Sequence, residues 1–183
     1  MNGKFVILEG QDRCGKSTLS KTLSNDYFKP GTICHHSNSP PKLNDPAQTL
    51  QWEISNYVNL FNRFSSSGAS IIADRFHLGS AVYGRKFRNY DKDFDCTTIE
   101  QYFDYYDKNS VYLIVITDYA DKIMWRNDNL SLESTAAEYN EIRNSFHEEF
   151  EKSTIKNKLF INLTDIAGFN NLLPTVLKFL NHE

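Results

Sequence analysis

Short apolar runs alternate with longer amphipathic segments along the 183 residues of the chain. Five of these runs are short, rich in β-branched residues and nearly continuous in apolar character, which is typical of strands buried in a parallel sheet. They are residues 5–9, 31–36, 70–74, 111–117 and 158–163. The alternation predicts an α/β fold of three layers, in which a five-stranded parallel sheet is flanked by helices.

Four segments between and after these runs have the periodicity of amphipathic helices. They are residues 46–66, 97–107, 134–153 and 169–181. In the third segment Ile142, Phe146 and Phe150 recur every four residues, so we expect one stripe of that helix to face the core. Three further segments contain the Pro, Asn, Asp and basic residues of loops. They are residues 37–45, 84–96 and 126–133.

Composition narrows the class of protein. A chain of this length with 40% hydrophobic residues can bury one sizeable core, so we expect one domain spanning residues 1–183. The net charge of −3 gives no overall field that would attract nucleic acid or an anionic membrane. The three cysteines are too widely spaced for a disulfide framework or a metal knuckle. Neither a membrane span nor a signal-peptide core is apparent. We therefore expect a cytoplasmic protein without a membrane partner.

The stretch EGQDRCGKST, residues 9–18, follows the first apolar run and contains the complete phosphate-loop (Walker A) motif GxxxxGK(S/T). In such a loop the backbone N–H groups point inward at phosphate oxygens, and glycine permits the required conformation. Lys16 would reach the β- and γ-phosphates of ATP, and Ser17 would ligate Mg²⁺. The alternative is a chance glycine-rich turn between strand and helix. The predicted ATP-binding residues of the loop are Gly10, Gln11, Asp12, Arg13, Cys14, Gly15, Lys16, Ser17 and Thr18.

A second group of candidate residues lies in SIIADRFHLGSAVYG, residues 70–84. Asp74 closes an apolar strand and so lies at the carboxyl edge of the sheet, where α/β proteins bind ligands. Asp74 could hold Mg²⁺ from the side opposite Ser17, and Arg75 could donate two parallel hydrogen bonds to a phosphate of the acceptor. The alternative is an Asp74–Arg75 pair that ties the strand to the next helix.

Together these two stretches resemble the thymidylate kinase branch of the nucleoside monophosphate kinases. Loops of that family read EGxDRxGKS, and a later strand ends in Asp-Arg followed by an aromatic residue, with another aromatic seven residues further on. Here Asp74, Arg75, Phe76 and Tyr83 match, while a serine often found between them is shifted by one to Ser80. The resemblance is specific over residues 4–24 and 68–84.

The resemblance implies a P-loop kinase that transfers a phosphoryl group from Mg-ATP to a deoxynucleoside monophosphate, with dTMP as the type substrate. Asp12 would approach the deoxyribose 3'-hydroxyl, and Arg13 would stabilise charge on the transferred group. The alternative for these two residues is a local ion pair that shapes the turn. Phe76 and Tyr83 would contact the acceptor, and the family also suggests a homodimer.

Two departures from the family leave the acceptor base open. The residues HHSNSPPK stand where the family has an EPGGT-like turn after its second strand. The family arginine that reads thymine is also absent, because the ungapped register places Ile54 at its position, with Trp52 and Glu53 adjacent. Neither departure affects the phosphoryl transfer itself.

A short lid is expected at about residues 126–134, where nucleotide kinases close over the donor and exclude water. It contains one arginine, Arg126, which we expect at the ATP site. With so few cations in the lid, Arg13 would have to supply the charge that stabilises the transition state.

Two other functions are compatible with the same phosphate loop. In the first, the acceptor is a nucleoside hydroxyl or a hydroxymethylated base in DNA, and the basic residues Arg85, Lys86 and Arg88 track a strand. In the second, the chain is a non-catalytic nucleotide binder. Adjacent His35 and His36 point to opposite sides of a strand, so we expect no zinc site there but allow one of them to line the acceptor pocket.

Overall fold

The computed structural model describes residues 3–28, 31–37, 40–41, 45–91, 95–105, 110–126 and 132–181. Most of the predicted lid, residues 127–131, lies outside these ranges.

All five predicted strands form, and each lies within two residues of its predicted bounds. They are β1 (Phe5–Gly10), β2 (Ile33–His36), β3 (Ile71–Asp74), β4 (Val111–Thr117) and β5 (Asn157–Asn162). The strands pair in the order β2-β3-β1-β4-β5, and every pairing is parallel. The predicted sheet is therefore confirmed.

Seven α-helices occur in the part of the chain that the structure describes. They are α1 (Lys16–Thr22), α2 (Pro46–Ser67), α3 (His77–Phe87), α4 (Thr97–Glu100), α5 (Ala120–Ile123), α6 (Ala136–Lys152) and α7 (Leu172–Leu180). A π-helical turn extends α1, and 3₁₀ turns follow α4 and α5 and precede α7. The predicted loop at 84–96 was wrong at its start, since α3 continues to Phe87. The predicted helix at 97–107 is α-helical only to Glu100.

Local sequence signals set the ends of the longer helices. The Asp45 side chain accepts a hydrogen bond from the backbone N–H of Ala47, and Pro46 occupies the first helical position of α2. Gly68, with φ of 63°, ends this helix. At α6 the side chains of Thr135 and Glu138 each bond to the other's backbone, forming a capping box.

The sheet separates two apolar cores, because successive residues of a strand point to opposite faces. Phe5 and Ile7 pack with α2, α3 and α6 on one face. Val6 and Leu8 pack with α1, α5 and α7 on the other. On the first face the ring of Phe5 lies 5.3–5.5 Å from those of Phe61, Phe64 and Phe76. Within the described residues, no helix has both the length and the apolar character needed to cross a membrane.

The register between β1 and β3 brings the two predicted functional stretches together. Leu8 pairs with Asp74, and the backbone N–H of Arg75 donates to the carbonyl of Leu8 at 2.9 Å. Because parallel strands end at the same edge of the sheet, residues 9–18 and 74–76 emerge side by side.

Candidate active site

Two glycines shape the phosphate loop, because a side chain at either position would meet strain or close contacts. Gly10 has a φ of 121°, and a Cβ atom built on it would lie 1.9 Å from the carbonyl oxygen of Ile116 on the neighbouring strand. Gly15 has a φ of 81° and stands directly before α1, where a Cβ atom would lie 2.6 Å from the ring of Phe169. The loop therefore depends on backbone freedom and close approach at both ends.

Inside the loop, the side chains divide into those that anchor it and those that face outward. Gln11 is buried, donating to the carbonyl of Tyr139 at 2.7 Å and accepting from the N–H of Asp118 at 2.9 Å. Cys14 is also buried, and burial raises the pKa of its thiol to about 12. Both predicted ATP-binding residues could therefore contact a nucleotide only through their backbone. The Lys16 ammonium group donates to the carbonyl of Gln11 at 2.5 Å.

Ser17 and Asp74, the two predicted Mg²⁺ ligands, are brought together. The Ser17 hydroxyl donates to Asp74 Oδ2 at 2.6 Å, and His36 Nδ1 lies 3.1 Å from the same oxygen. A hydroxyl and a carboxylate are oxygen donors, which Mg²⁺ prefers, so these residues fit the expected ion.

Arg75 and Asp12 form an ion pair across the two stretches, 63 residues apart in sequence. The alternative of an Asp12–Arg13 ion pair was therefore wrong, as was the alternative of an Asp74–Arg75 pair. The Arg75 guanidinium also lies 5.3 Å from the ring centroid of Tyr83. Two predicted substrate contacts, Arg75 and Tyr83, thus lie against each other.

Arg13 and Arg126, both predicted at the ATP site, lie next to each other. Arg13 donates to the carbonyl of Met124 at 3.3 Å, and Arg126 donates to the carbonyl of Arg13 at 3.4 Å. The Arg126 guanidinium stacks on the ring of Phe169, 4.0 Å from its centroid. The sequence did not indicate Phe169 as a site residue, because only its contacts with Gly15 and Arg126 in the folded chain place it there.

Two cavities open at this edge of the sheet. The larger, of about 730 Å³, surrounds the phosphate loop. The smaller, of about 170 Å³, lies towards α2 and α3. Asp12 and Arg75 line both. The remaining residues of the larger cavity are Arg13, Gly15, Lys16, Ser17, Thr18, Leu19, Thr22, Asp74, Arg126, Phe169, Leu172 and Leu173. Those of the smaller are Ser37, Glu53, Tyr57, Phe76, Gly79, Ser80, Tyr83, Arg88 and Leu132.

Glu53 is the main site residue that sequence reasoning left without a role. Its Oε2 accepts from the Tyr90 hydroxyl at 2.8 Å, and its Oε1 accepts from Arg88 at 3.3 Å. Burial raises the pKa of Glu53, while the hydrogen bond from Tyr90 and the positive charge of Arg88 act in the opposite direction. The neighbouring Ile54, which occupies the family's arginine position in the ungapped register, instead packs against the apolar core.

A second carboxylate that the sequence did not indicate borders Gly79, the position where the family often has a serine. Glu9, fully buried at the end of β1, accepts from the N–H of Phe76 at 2.9 Å and from that of Gly79 at 3.0 Å. Burial raises the pKa of Glu9 above its ordinary value. A Cβ atom on Gly79 would lie 3.0 Å from Glu9 Oε2, so a glycine here eases this close approach. The Ser80 hydroxyl bonds instead to that of Tyr57.

The described end of the predicted lid borders the smaller cavity. The Tyr83 hydroxyl donates to Glu133 Oε1 at 2.8 Å, and both side chains are buried. Burial raises the pKa of Tyr83 well above its ordinary value. Leu132, which is half exposed, lines the cavity beside them. Glu133, within the predicted lid, therefore holds a predicted acceptor contact, Tyr83, in place.

Each member of the basic run after Tyr83 is paired with a carboxylate. Arg85 donates to Glu149 at 2.7 Å, Lys86 bonds to Glu141, and Arg88 bonds to Glu53. Their charges are neutralised by these partners, which argues against a track for nucleic acid.

The histidine pair separates as predicted, with one side chain on each side of β2. His36 lies at Asp74, whereas His35 lines a surface groove with Asn59 and Arg63. Across the described ranges, no group of three or more His, Cys, Asp or Glu side chains is arranged to hold a metal ion.

Neither a protein-family model nor a curated protein matches the sequence. Among solved structures, the YorR protein of Bacillus subtilis in complex with phosphorylated GDP is 19% identical, with a TM-score of 0.68 over 98% of this chain and 99% of that one. The thymidylate kinase of Ehrlichia chaffeensis is 19% identical, with a TM-score of 0.63 over 98% and 100%. That of Candida albicans is 15% identical, with a TM-score of 0.65 over 100% and 94%.

These likenesses extend over nearly the whole of each chain. They show that the protein has the thymidylate-kinase-like P-loop fold, which confirms the predicted fold class.

Proposed function

We propose that the protein is a Mg-ATP-dependent kinase that phosphorylates a deoxynucleoside monophosphate to the diphosphate. The observation that carries this proposal is the meeting of the two cavities at the Asp12–Arg75 ion pair. A donor in the larger cavity and an acceptor in the smaller one would approach each other there.

On the donor side, the loop N–H groups and Lys16 would hold the ATP phosphates. Ser17 and Asp74 would hold Mg²⁺, which neutralises phosphate charge when bound. Arg13 would stabilise the transferred phosphoryl group, and Arg126 would lie against the donor nucleotide. An acceptor phosphate oxygen would attack the γ-phosphorus as its bond to the ADP oxygen breaks.

On the acceptor side, the Arg75 guanidinium would bind the 5'-phosphate, and Asp12 would approach the sugar. Phe76 and Tyr83 would contact the nucleoside. The family resemblance suggests dTMP as the acceptor. The similar structures include two thymidylate kinases and a protein solved with phosphorylated GDP, so they do not point to one base.

The neutralised basic run disfavours the alternative of a kinase acting on a base in DNA. The presence of Lys16, Ser17, Asp74 and Arg75 at one site disfavours a non-catalytic nucleotide binder. By the same resemblance we propose that the kinase is a homodimer, which sedimentation analysis tests. From its composition we propose that it is cytoplasmic.

A coupled ADP-release assay distinguishes these functions. The acceptors are the four deoxynucleoside monophosphates, the corresponding nucleosides, and an oligonucleotide containing hydroxymethylated bases. We expect turnover with a monophosphate only. Lys16→Ala should abolish that turnover while the far-UV spectrum stays native. Lys21→Ala, a control on an exposed residue of α1 that lines neither cavity, should retain it. Turnover of Lys16→Ala within tenfold of wild type would contradict the proposal.

A further inference from the structure

Glu53 brings a buried negative charge to the smaller cavity. The residue is 6% exposed, and each of its two carboxylate oxygens already accepts one hydrogen bond, from Tyr90 or Arg88. A carboxylate offers about four lone-pair positions and no donor. Each oxygen therefore retains capacity to accept a hydrogen bond from a ligand in this cavity.

The partners of Glu53 are fixed by the backbone turn after α3. The N–H groups of Arg88 and Tyr90 both donate to the carbonyl of Gly84, at 3.0 and 3.1 Å. Asn89 between them has a φ of 55°. A Cβ atom on Gly84 would lie 2.1 Å from the Tyr90 ring, so this ring packs directly on the helix backbone. The cluster is thus held in place without a ligand, as a recognition site requires.

The position of the cluster indicates which part of a nucleotide it would meet. Asp12 and Arg75 line both cavities, whereas Glu53 and Arg88 line only the smaller one. A monophosphate that presents its phosphate to Arg75 would therefore direct its base towards Glu53. Phe76 and Tyr57, whose ring centroids lie 4.5 Å apart, give the same cavity an aromatic lining.

The chemistry of the cluster discriminates among bases. Arg88 and the two oxygens of Glu53 present one donor beside two acceptors. The pairing edge of guanine presents one acceptor, O6, beside two donors, N1–H and the 2-amino group. Thymine offers one N–H between two carbonyl groups, and the oxygens of those carbonyl groups repel a carboxylate. Adenine and cytosine each offer one amino donor beside a ring nitrogen that accepts, so they leave one buried oxygen without a new donor.

We propose that Glu53, assisted by Arg88, selects guanine, so that the acceptor of the proposed kinase is dGMP. The carboxylate accepts from N1–H and the 2-amino group, and Arg88 donates to O6. This inference rests on the proposed function and replaces dTMP, the substrate that the family resemblance suggests.

The test compares kcat/KM for dGMP, dTMP, dCMP and dAMP in the wild type and in Glu53→Gln. We expect dGMP to be preferred, and Glu53→Gln to lower its kcat/KM by about 10- to 100-fold, in line with the discrimination of a bidentate contact to a base. The amide offers one donor and one acceptor, matching N3–H and O4 of thymine, so the dGMP/dTMP ratio should narrow or invert. Glu141→Gln, a surface change outside both cavities, should preserve the ratio.

A substrate analogue tests the same contact without any mutation. Deoxyinosine monophosphate keeps N1–H and O6 but lacks the 2-amino group, so the wild type should use it less well than dGMP. Equal use of the two, a wild-type preference for another base, or an unchanged ratio in Glu53→Gln would overturn the inference while sparing the kinase. If no monophosphate is phosphorylated, the proposed function fails instead. Calorimetric binding of dGMP and dTMP to the wild type would then still decide the base.

Discussion

Replacing Arg75 with lysine probes the point where the two cavities meet. The substitution keeps the positive charge beside Asp12 but removes the planar group that can donate two parallel hydrogen bonds to a phosphate. Lysine can supply a point charge in the same place, so the electrostatic field is largely preserved. The change therefore isolates the geometry of phosphate recognition.

The structure sets the expected size of the effect. A hydrogen bond to a charged group contributes about 1.5–3 kcal/mol. Losing one of the two hydrogen bonds from residue 75 to the phosphate should therefore raise the KM of the acceptor about 10- to 100-fold. The KM of ATP should change little. The Asp12–Arg75 pair is partly exposed, and such pairs contribute at most about 1 kcal/mol to folding. The melting temperature should therefore fall only slightly.

The assay is steady-state ADP release, with each substrate varied against saturating concentrations of the other. Arg85→Lys is the matched control, because Arg85 bonds to Glu149 at 2.7 Å and lines neither cavity. An unchanged acceptor KM in Arg75→Lys would refute the monophosphate reasoning. An increase confined to the KM of ATP would place Arg75 at the donor instead.

Two further changes test the transition state and the support behind α3. Arg13→Ala should lower kcat by about 30- to 1,000-fold, as expected when one transition-state donor is lost, with little change in ATP affinity measured by titration. An equal loss of ATP binding would make Arg13 structural. Glu100 is buried, which alone would raise its pKa, but hydrogen bonds from His77, Ser153 and Thr154 lower the pKa to about 2. This stabilisation is complete above pH of about 4.5 and is lost as pH falls towards 2. Glu100→Gln should therefore reduce the free energy of unfolding at pH 7 by up to about 3 kcal/mol and make that free energy depend less on pH between about 4.5 and 2. If urea titrations show the same loss of stability at low pH in the variant and the wild type, this role is excluded.

Two of the four described non-glycine residues with positive φ are assigned to the transfer, the others being Asn89 and Ala167. Arg13 and Arg75 have φ values of 65° and 72°, in the left-handed region that residues other than glycine seldom adopt. Such strain costs about 1–3 kcal/mol and persists where surrounding structure imposes it. Here the backbone N–H of Arg75 is bonded to Leu8. The strained backbone places both guanidinium groups at the loop, which is consistent with a functional role for each.

The sequence by itself determined the sheet and the location of the phosphate loop. Strands buried on both faces have nearly continuous apolar runs, so residues 5–9 and 111–117 were recognisable without their partners. Gly10 and Gly15 were recognisable because the loop motif is local, with every spacing inside one short turn. The same local character exposed Asp74 and Arg75 at the end of a strand.

Only the tertiary structure decided which polar groups meet. Asp12 pairs with Arg75 rather than with its neighbour Arg13, because parallel pairing of β1 and β3 places the two loops together. Glu53 is an ordinary polar position in the sequence of an amphipathic helix. It becomes a candidate base-recognition residue because the turn after α3 folds Arg88 and Tyr90 against it. A buried carboxylate needs partners, and in this fold they come from elements distant in sequence, where no local pattern records them.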